Sequence, residues 1–427
     1  MNKRISNIFK GDKVIWMVFF FLCMISIVEV FSASSNLTYK SNNFIMPIIK
    51  HSGTIIFGVV VAIITLNIPC RYFKLLTPMA LAISFITLLW VLVAGQNING
   101  AQRVIEIPGF TFQPSEIAKG SLILAVAQIL SAMQHEHGAD RNAFKYIIFL
   151  TLPMAFLIMV ENLSTALLLC SVIFLMMFIG RVPYRQLGWL MAIAGALVVL
   201  ALSFIMLVGS NNADVTTKEA TEQIAQKEET KKKEGAIESL FHRADTWKGR
   251  ILKFSNKEEI APEDYDLDKD AQVAHANIAI VSSNIIGKGP GNSVERDFLA
   301  QAFSDFIYAI VIEEMGILGA AFVVLLYVIL MFRAARIASR CENNFPAFLI
   351  MGLALLFVVQ ASFNMMVAVG IVPVTGQPLP LISKGGTSTI INCAYIGAML
   401  SVSRSAKLRM KNSDTTSDTS DIKESEI

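Results

Sequence analysis

Apolar runs of roughly 20 residues, long enough to cross a bilayer core as helices, recur along this chain and predict about ten membrane spans. They begin near Val14, Ile45, Phe73, Ser115, Lys145, Leu163, Leu187, Ser304, Pro346 and Thr387. The polar residues between them are not scattered. Three clusters rich in glycine, proline and charge, at 99–119, 284–305 and 373–388, adjoin alternate span ends and so map to one membrane face. One long polar stretch, 210–302, separates the seventh span from the eighth. The expected fold class is an all-α polytopic membrane protein: a short N-terminus (1–13), a transmembrane domain (14–404) with one large extracytoplasmic loop, and a tail (405–427). The tail's Ser/Thr/Asp-rich composition predicts disorder.

Composition agrees. With 54% hydrophobic and 16% charged residues over 427 positions, and a mean hydropathy of +0.57, the chain holds more apolar sequence than a soluble core uses. A net charge of +3 gives no case for a nucleic-acid partner. The five cysteines have neither paired nor metal-like spacing. Lys3, Arg4, Lys10, Lys13, Arg71, Lys74, Arg141, Lys145, Arg181, Arg185, Arg333, Arg336, Arg340 and the basic residues from Arg404 to Lys411 fall on one side. The short loops of the other side hold only Lys40, Arg103 and Lys384. The positive-inside rule then puts both termini in the cytoplasm and the three polar clusters outside. The first span resembles a signal peptide in its basic start, but its length and the spans that follow favour a retained helix, with Glu29 at the interface.

Within the long loop, the charge run of residues 218–235 reads as a solvated segment. Trp247, Ile251, Leu252 and Phe254, interleaved with Arg243, Lys248 and Arg250, read as an amphipathic stretch on the outer interface. Two weaker signals stay with their ordinary readings. The alternating Asp264, Asp266, Asp268 and Asp270 lack the glycine and glutamate of a calcium loop, and His135 and His137 have no further ligands nearby.

The first cluster ends in Phe112-Gln-Pro-Ser-Glu-Ile-Ala-Lys119, where Pro114 suits a first helical turn and Gln113 or Ser115 suits its free amides. Glu116 and Lys119, three apart, form either a local ion pair or, with Arg103, an anion site at a helix N-terminus; spacing leaves both open. The second cluster contains Gly287-Lys-Gly-Pro-Gly-Asn-Ser293, which lacks the ending of a phosphate loop and reads as a tight exposed turn. Asp305 then opens a hydrophobic helix, either as a cap or, with Ser304 capping, as a carboxylate base at the lipid–water boundary. Glu313 and Glu314, two turns deeper, suit pairing with a neighbouring helix. Pro373, Pro378, Pro380 and Gly385-Gly386 in the third cluster forbid a continuous helix and predict a rigid outer loop bearing Lys384.

Three strings in this order on about ten spans, NGAQR…FQPSEIAK, GKGPGNS…SDFIYAIVIEEMGILG and GIVPVTGQPLPLISKGGTS, resemble the SEDS family of FtsW and RodA from about Lys13 to Arg404. That resemblance implies a peptidoglycan glycosyltransferase that polymerises lipid II at the outer face of the cytoplasmic membrane. It implies a cognate class B penicillin-binding protein and, for an FtsW-like member, other division proteins at the septum. It also implies Asp305 as the essential aspartate, Asp297 as a neighbouring acidic position and Lys119 as the lysine of the Pro-Ser-Glu segment. Chemically, such a site would use Asp305 as base. Arg103, Gln113, Ser115, Glu116, Lys119, Asp297 and Lys384 are candidate diphosphate or glycan binders, and a divalent cation such as Mg or Mn is a candidate cofactor. The chain departs from the family pattern at Glu161-Asn-Leu-Ser-Thr165, where Asn162 stands for the usual aspartate, and at Ala300 and Phe303. The rival readings are a lipid II flippase, a non-catalytic scaffold, and an elongation-type, RodA-like polymerase.

Overall fold

The computed structural model describes residues 10–33, 46–94, 96–98, 101–107, 110–136, 138–208, 271–299 and 303–424. The stretches read above as a charge run, an amphipathic segment and an aspartate series lie outside them. The helices are α1 (Lys13–Ala33), α2 (Met46–Asn67), α3 (Cys70–Ala94), α4 (Pro114–Ala132), α5 (Arg141–Glu161), α6 (Leu163–Ile179), α7 (Tyr184–Val208), α8 (Ala271–Val281), α9 (Ile307–Ala338), α10 (Asn344–Ala368) and α11 (Thr387–Glu424). Every expected span start lies within four residues of one of these helices. Among the described residues, seven helices are long and apolar enough to cross a membrane (α1 to α5, α9 and α10), and α6 is a shorter apolar helix. The protein is a membrane protein.

Its surface is inverted relative to a soluble protein. Val93, Phe149, Leu75 and Trp189 are largely exposed on the outside of the bundle, as lipid-facing side chains should be. The interior is built around α10, which packs against α9, α4, α6 and α11, while α2 packs along α11. Small residues let that last pair approach closely. A Cβ at Gly397 would lie 2.5 Å from the Ala62 carbonyl oxygen, and one at Gly58 2.6 Å from Cys393 Sγ.

Four features depart from the sequence expectations. The segment before α4 is a small antiparallel ribbon, β1 (Gln96–Ile98), β2 (Ala101–Ile107) and β3 (Phe110–Phe112), because Val104 to Ile107 and Phe110 to Phe112 supply β-branched and aromatic residues around a turn. A second, two-stranded ribbon, β4 (Gln134–His135) and β5 (Gly138–Ala139), joins α4 to α5. The last helix continues through the tail expected to be disordered, to Glu424; no proline or glycine after Gly397 interrupts it. Glu29 is not interfacial but fully buried, on the face of α1 that carries Ser26 and Ser32.

Candidate active site

Residues 369–386, between α10 and α11, are irregular but pinned at many points. The sequence forbids a helix there, so backbone groups that would be costly unpaired must bond elsewhere. Gln360 Nε2 donates to the Pro378 carbonyl at 3.0 Å, and Asn364 Nδ2 donates to the Gln377 carbonyl at 2.7 Å. Gln377 Nε2 reaches Thr165 Oγ1 at 2.8 Å, tying the loop to the start of α6. Tyr327 of α9 donates to the Pro380 carbonyl, and Ser26 of α1 to the Ile382 carbonyl at 2.7 Å. Ser383 Oγ accepts from the Leu379 amide at 2.7 Å and donates to the Ser304 carbonyl at 2.6 Å.

These last bonds carry the loop onto the turn containing Asp305. The Lys384 amide donates to the Phe303 carbonyl at 2.9 Å, and Lys384 Nζ lies 4.9 Å from the centre of the Phe303 ring. Asn364 Nδ2 also donates to the Asp305 carbonyl at 2.8 Å. Asp305 does not cap the helix. Helix α9 starts at Ile307 behind Phe306, whose side chain makes no cap bond, and Ser304 Oγ donates instead to Asp305 Oδ1 at 2.8 Å. Asp305 is half-buried, with Ser304 Oγ on its carboxylate and Asn364 Nδ2 on its backbone carbonyl. Lys384 is half-buried as well. Burial, and then the charge of Lys50 on α2, hold its ammonium below the usual lysine range, a cation that an incoming anion would stabilise.

Pro114 occupies the first turn of α4, as expected, and Gln113 is its N-cap residue without a side-chain cap bond; Gln113 Nε2 donates to Ser115 Oγ at 3.1 Å. Lys119 Nζ donates to Glu116 Oε1 at 2.9 Å and to Gln360 Oε1 at 3.0 Å. Ser115, Glu116 and Lys119 are all buried, Lys119 completely. Of the two readings of this spacing, the local ion pair is the one formed. It lies directly behind the loop, because Gln360 links it to Pro378. Arg103 lies on β2, with its side chain outside the described residues.

The glycine-rich segment 287–293 fills a break in α9. Gly316 has φ +70° inside that helix, and residues 285–289 supply the replacement bonds. The amides of Lys288 and Gly289 donate to the carbonyls of Glu313 and Glu314 at 2.9 and 2.8 Å, and the Leu318 amide donates to the Ile285 carbonyl at 3.3 Å. The side chains of both glutamates are enclosed. Glu313 accepts from Lys288 Nζ at 2.6 Å and from the Val294 amide at 3.1 Å, and Glu314 from the amides of Gly291 and Ser293 and from Ser32 of α1. The pairing expected with a neighbouring helix is therefore mostly with this loop. The motif is a carboxylate clamp, and only Pro290 and Asn292 at its tip are exposed.

Asp297 closes a short 3₁₀ turn, Glu295–Asp297, beside that clamp, 3.8 Å from Arg296 Nε. Arg296 reaches back to Ser32 and the Gly291 carbonyl. Among the described residues no three His, Cys, Asp or Glu side chains are grouped to hold a metal ion. The candidate base Asp305 would offer a divalent metal ion one carboxylate.

Comparison with known proteins decides the family. The family model FtsW/RodA/SpoVE, described as "Cell cycle protein", matches residues 12–226 and 236–408. The chain belongs to the FtsW/RodA/SpoVE family. It is 29% identical to a "Probable peptidoglycan glycosyltransferase FtsW" of Geobacter metallireducens over 95% of this chain and 97% of that one. It is 28% identical to a protein of the same description from Idiomarina loihiensis over 84% and 78% of the two chains. Among solved structures it resembles the rod shape determining protein RodA of Thermus thermophilus, with a TM-score of 0.61, 22% identity and coverage of 93% and 98%. A chain from a structure described as "Structural coordination of polymerization and crosslinking by a peptidoglycan synthase complex" gives a TM-score of 0.65 at 22% identity, covering 93% and 98%.

Within the FtsW/RodA/SpoVE fold, the departure at Asn162 has a structural account. Asn162 Oδ1 accepts from the amides of Ser164 and Thr165, capping α6 with a neutral side chain where an aspartate would cap it with a charge. The anchoring residues Gln360, Asn364, Gln377 and Thr165 and the second cation Lys50 were not among the sequence candidates. A signal for two of them was present. Gln360 and Asn364 are amides four apart in an otherwise apolar span, a spacing that puts both on one helix face.

Proposed function

We propose that this chain is a peptidoglycan glycosyltransferase that polymerises lipid II into glycan strands, with Asp305 as general base. The observation that carries the reading is the pairing of Asp305 and Lys384 on adjoining turns that the Ser383 and Asn364 bonds clamp together. In the reaction, the 4-hydroxyl of the acceptor sugar attacks the donor's anomeric carbon. The bond from that carbon to the lipid diphosphate breaks, and the hydroxyl proton passes to the Asp305 carboxylate. The departing diphosphate gains negative charge, which Lys384 stabilises where water is scarce. Arg103 on β2 is assigned to the same anion. Lys119 is a positioning residue here, since its ammonium is buried and engaged from behind the loop.

The site lies at the end of the bundle with few basic residues, so we place it at the outer face, with both termini in the cytoplasm. The FtsW names of the relatives favour a septal role in cell division beside a class B penicillin-binding protein and other division proteins. Purified protein in vesicles with labelled lipid II tests the activity. Glycan strands are expected, whereas movement of lipid II across the bilayer without strands contradicts it. Depletion tests the role: filamentation is expected, and rounding would assign the chain to elongation.

A further inference from the structure

At the end of the bundle opposite Asp305, a cleft of about 440 Å³ opens between the start of α1, the end of α9 and α11. Its charge is unbalanced. Asp12 Oδ1 accepts from the amides of Val14 and Ile15, capping α1, and Asp12 Oδ2 accepts from Arg333 Nε and Nη2 at 2.9 and 2.5 Å. That accounts for the one carboxylate and for much of Arg333. Lys13 and Arg340 also line the cleft, and both are exposed, without an ion-pair partner among the described residues. Three cations less one carboxylate leave a lining charge of +2.

Apart from Ser403, the remaining walls are apolar, including Val14, Ile337 and Ala406. They continue into the surface that faces lipid. Lys13 heads the exposed stripe Met17, Phe20 and Met24 on α1, spaced four, seven and eleven residues on, and below Arg336 the exposed stripe Phe332, Val328 and Leu325 descends α9. Trp16 Nε1 donates to the Lys10 carbonyl at 2.9 Å, an indole at the depth where apolar core gives way to polar chain. A free phosphate would meet the cations but leave these stripes unused.

From this juxtaposition of Lys13 and Arg340 around an aliphatic cleft that opens onto lipid-facing stripes, we infer a binding site for one anionic phospholipid. The phosphate lies between Lys13 and Arg340, and an acyl chain follows Met17 and Phe20. The site is independent of the Asp305 chemistry. It places a lipid headgroup against the start of α1, the end of α9 and the middle of α11 at the point where Asp12 joins them, with the Asp12 amide donating to Ser403 Oγ at 2.9 Å.

The test is native mass spectrometry of the full chain in detergent with added phosphatidylglycerol or phosphatidylcholine. The wild type should retain one phosphatidylglycerol in preference to phosphatidylcholine. The variant Lys13→Gln/Arg340→Gln should weaken that retention by about 30-fold, the effect of two basic groups at a membrane surface. Arg141→Gln/Arg185→Gln removes the same charge from outside the cleft and should retain the lipid as the wild type does. Thermal unfolding without lipid should be the same for all three proteins, because the four side chains are exposed. The inference is overturned by equal retention of the two lipids, by equal losses in the two double variants, or by full displacement of the lipid by millimolar glycerol 3-phosphate, which would make this a site for a soluble phosphate.

Discussion

Asn364 Nδ2 donates to the backbone carbonyl of Asp305 at 2.8 Å while also holding the Gln377 carbonyl at 2.7 Å, so one buried amide sets the spacing between the proposed base and the proline-rich loop. Asn364→Ala removes both bonds and leaves two carbonyls to find other partners. We expect kcat for lipid II polymerisation to fall about 10- to 100-fold, the scale set by small misplacements of a reacting group, with little change in KM. A steady-state rate series checks this. Unchanged kcat would mean that Asp305 is held by other groups.

Lys119→Met leaves Glu116 buried with its ionic partner gone. A single uncompensated charge of this kind costs about 3–5 kcal/mol, so thermal unfolding in detergent should move down by many degrees. Lys119→Met/Glu116→Leu removes both charges and should recover most of the loss while changing the loop bond at Gln360. If the double variant is no more stable than the single one, the Lys119–Glu116 pair is not the source of the loss.

Gly287→Ala puts a Cβ 2.3 Å from the Glu314 carbonyl oxygen at φ +84°, so the loop must leave the break in α9. Gly291→Ala has a similar φ of +85° but nothing within 4 Å of the added atom. The second change should cost about 1 kcal/mol from the dihedral alone, and the first distinctly more. Chemical denaturation of the two variants compares them directly, and equal losses would refute the close approach of Gly287 to Gly316.

The alkaline limb of the pH–rate profile should report Lys384, which must be charged to stabilise a departing diphosphate. Burial and the neighbouring Lys50 hold its ammonium below the usual lysine range, so activity should be lost at a lower pH than an ordinary lysine would dictate. Lys50→Gln takes away the repulsion but not the burial, and the limb should move to higher pH. A limb that stays in place, or moves down, contradicts the assignment of Lys384.

The span pattern was legible because each helix has a long apolar run bounded by turn residues or charge, as at Pro114 and at Asn162-Leu163. The β ribbon before α4 was not, since strands of three to seven residues between polar turns carry little periodic signal. Asp305, Lys119 and Lys384 stood out as charges beside spans, but their contacts depended on partners far along the chain, 59 positions for Asp305 and Asn364 and 241 for Lys119 and Gln360. Glu29 was misplaced for a related reason. Its depth along α1 suggested an interface, while its burial depends on α9, which packs against that face and brings Glu314 to Ser32. The glycine segment 287–293 looked like a simple turn because the broken helix it completes lies after the long loop.

The central claim is that Asp305 is the base for glycan polymerisation. Its most direct test is the initial rate of lipid II polymerisation by purified Asp305→Asn, beside a thermal unfolding curve showing that the variant is folded. Loss of general base catalysis predicts a fall of at least about 100-fold with unfolding close to wild type. A folded Asp305→Asn protein that makes glycan strands at the wild-type rate would contradict the claim.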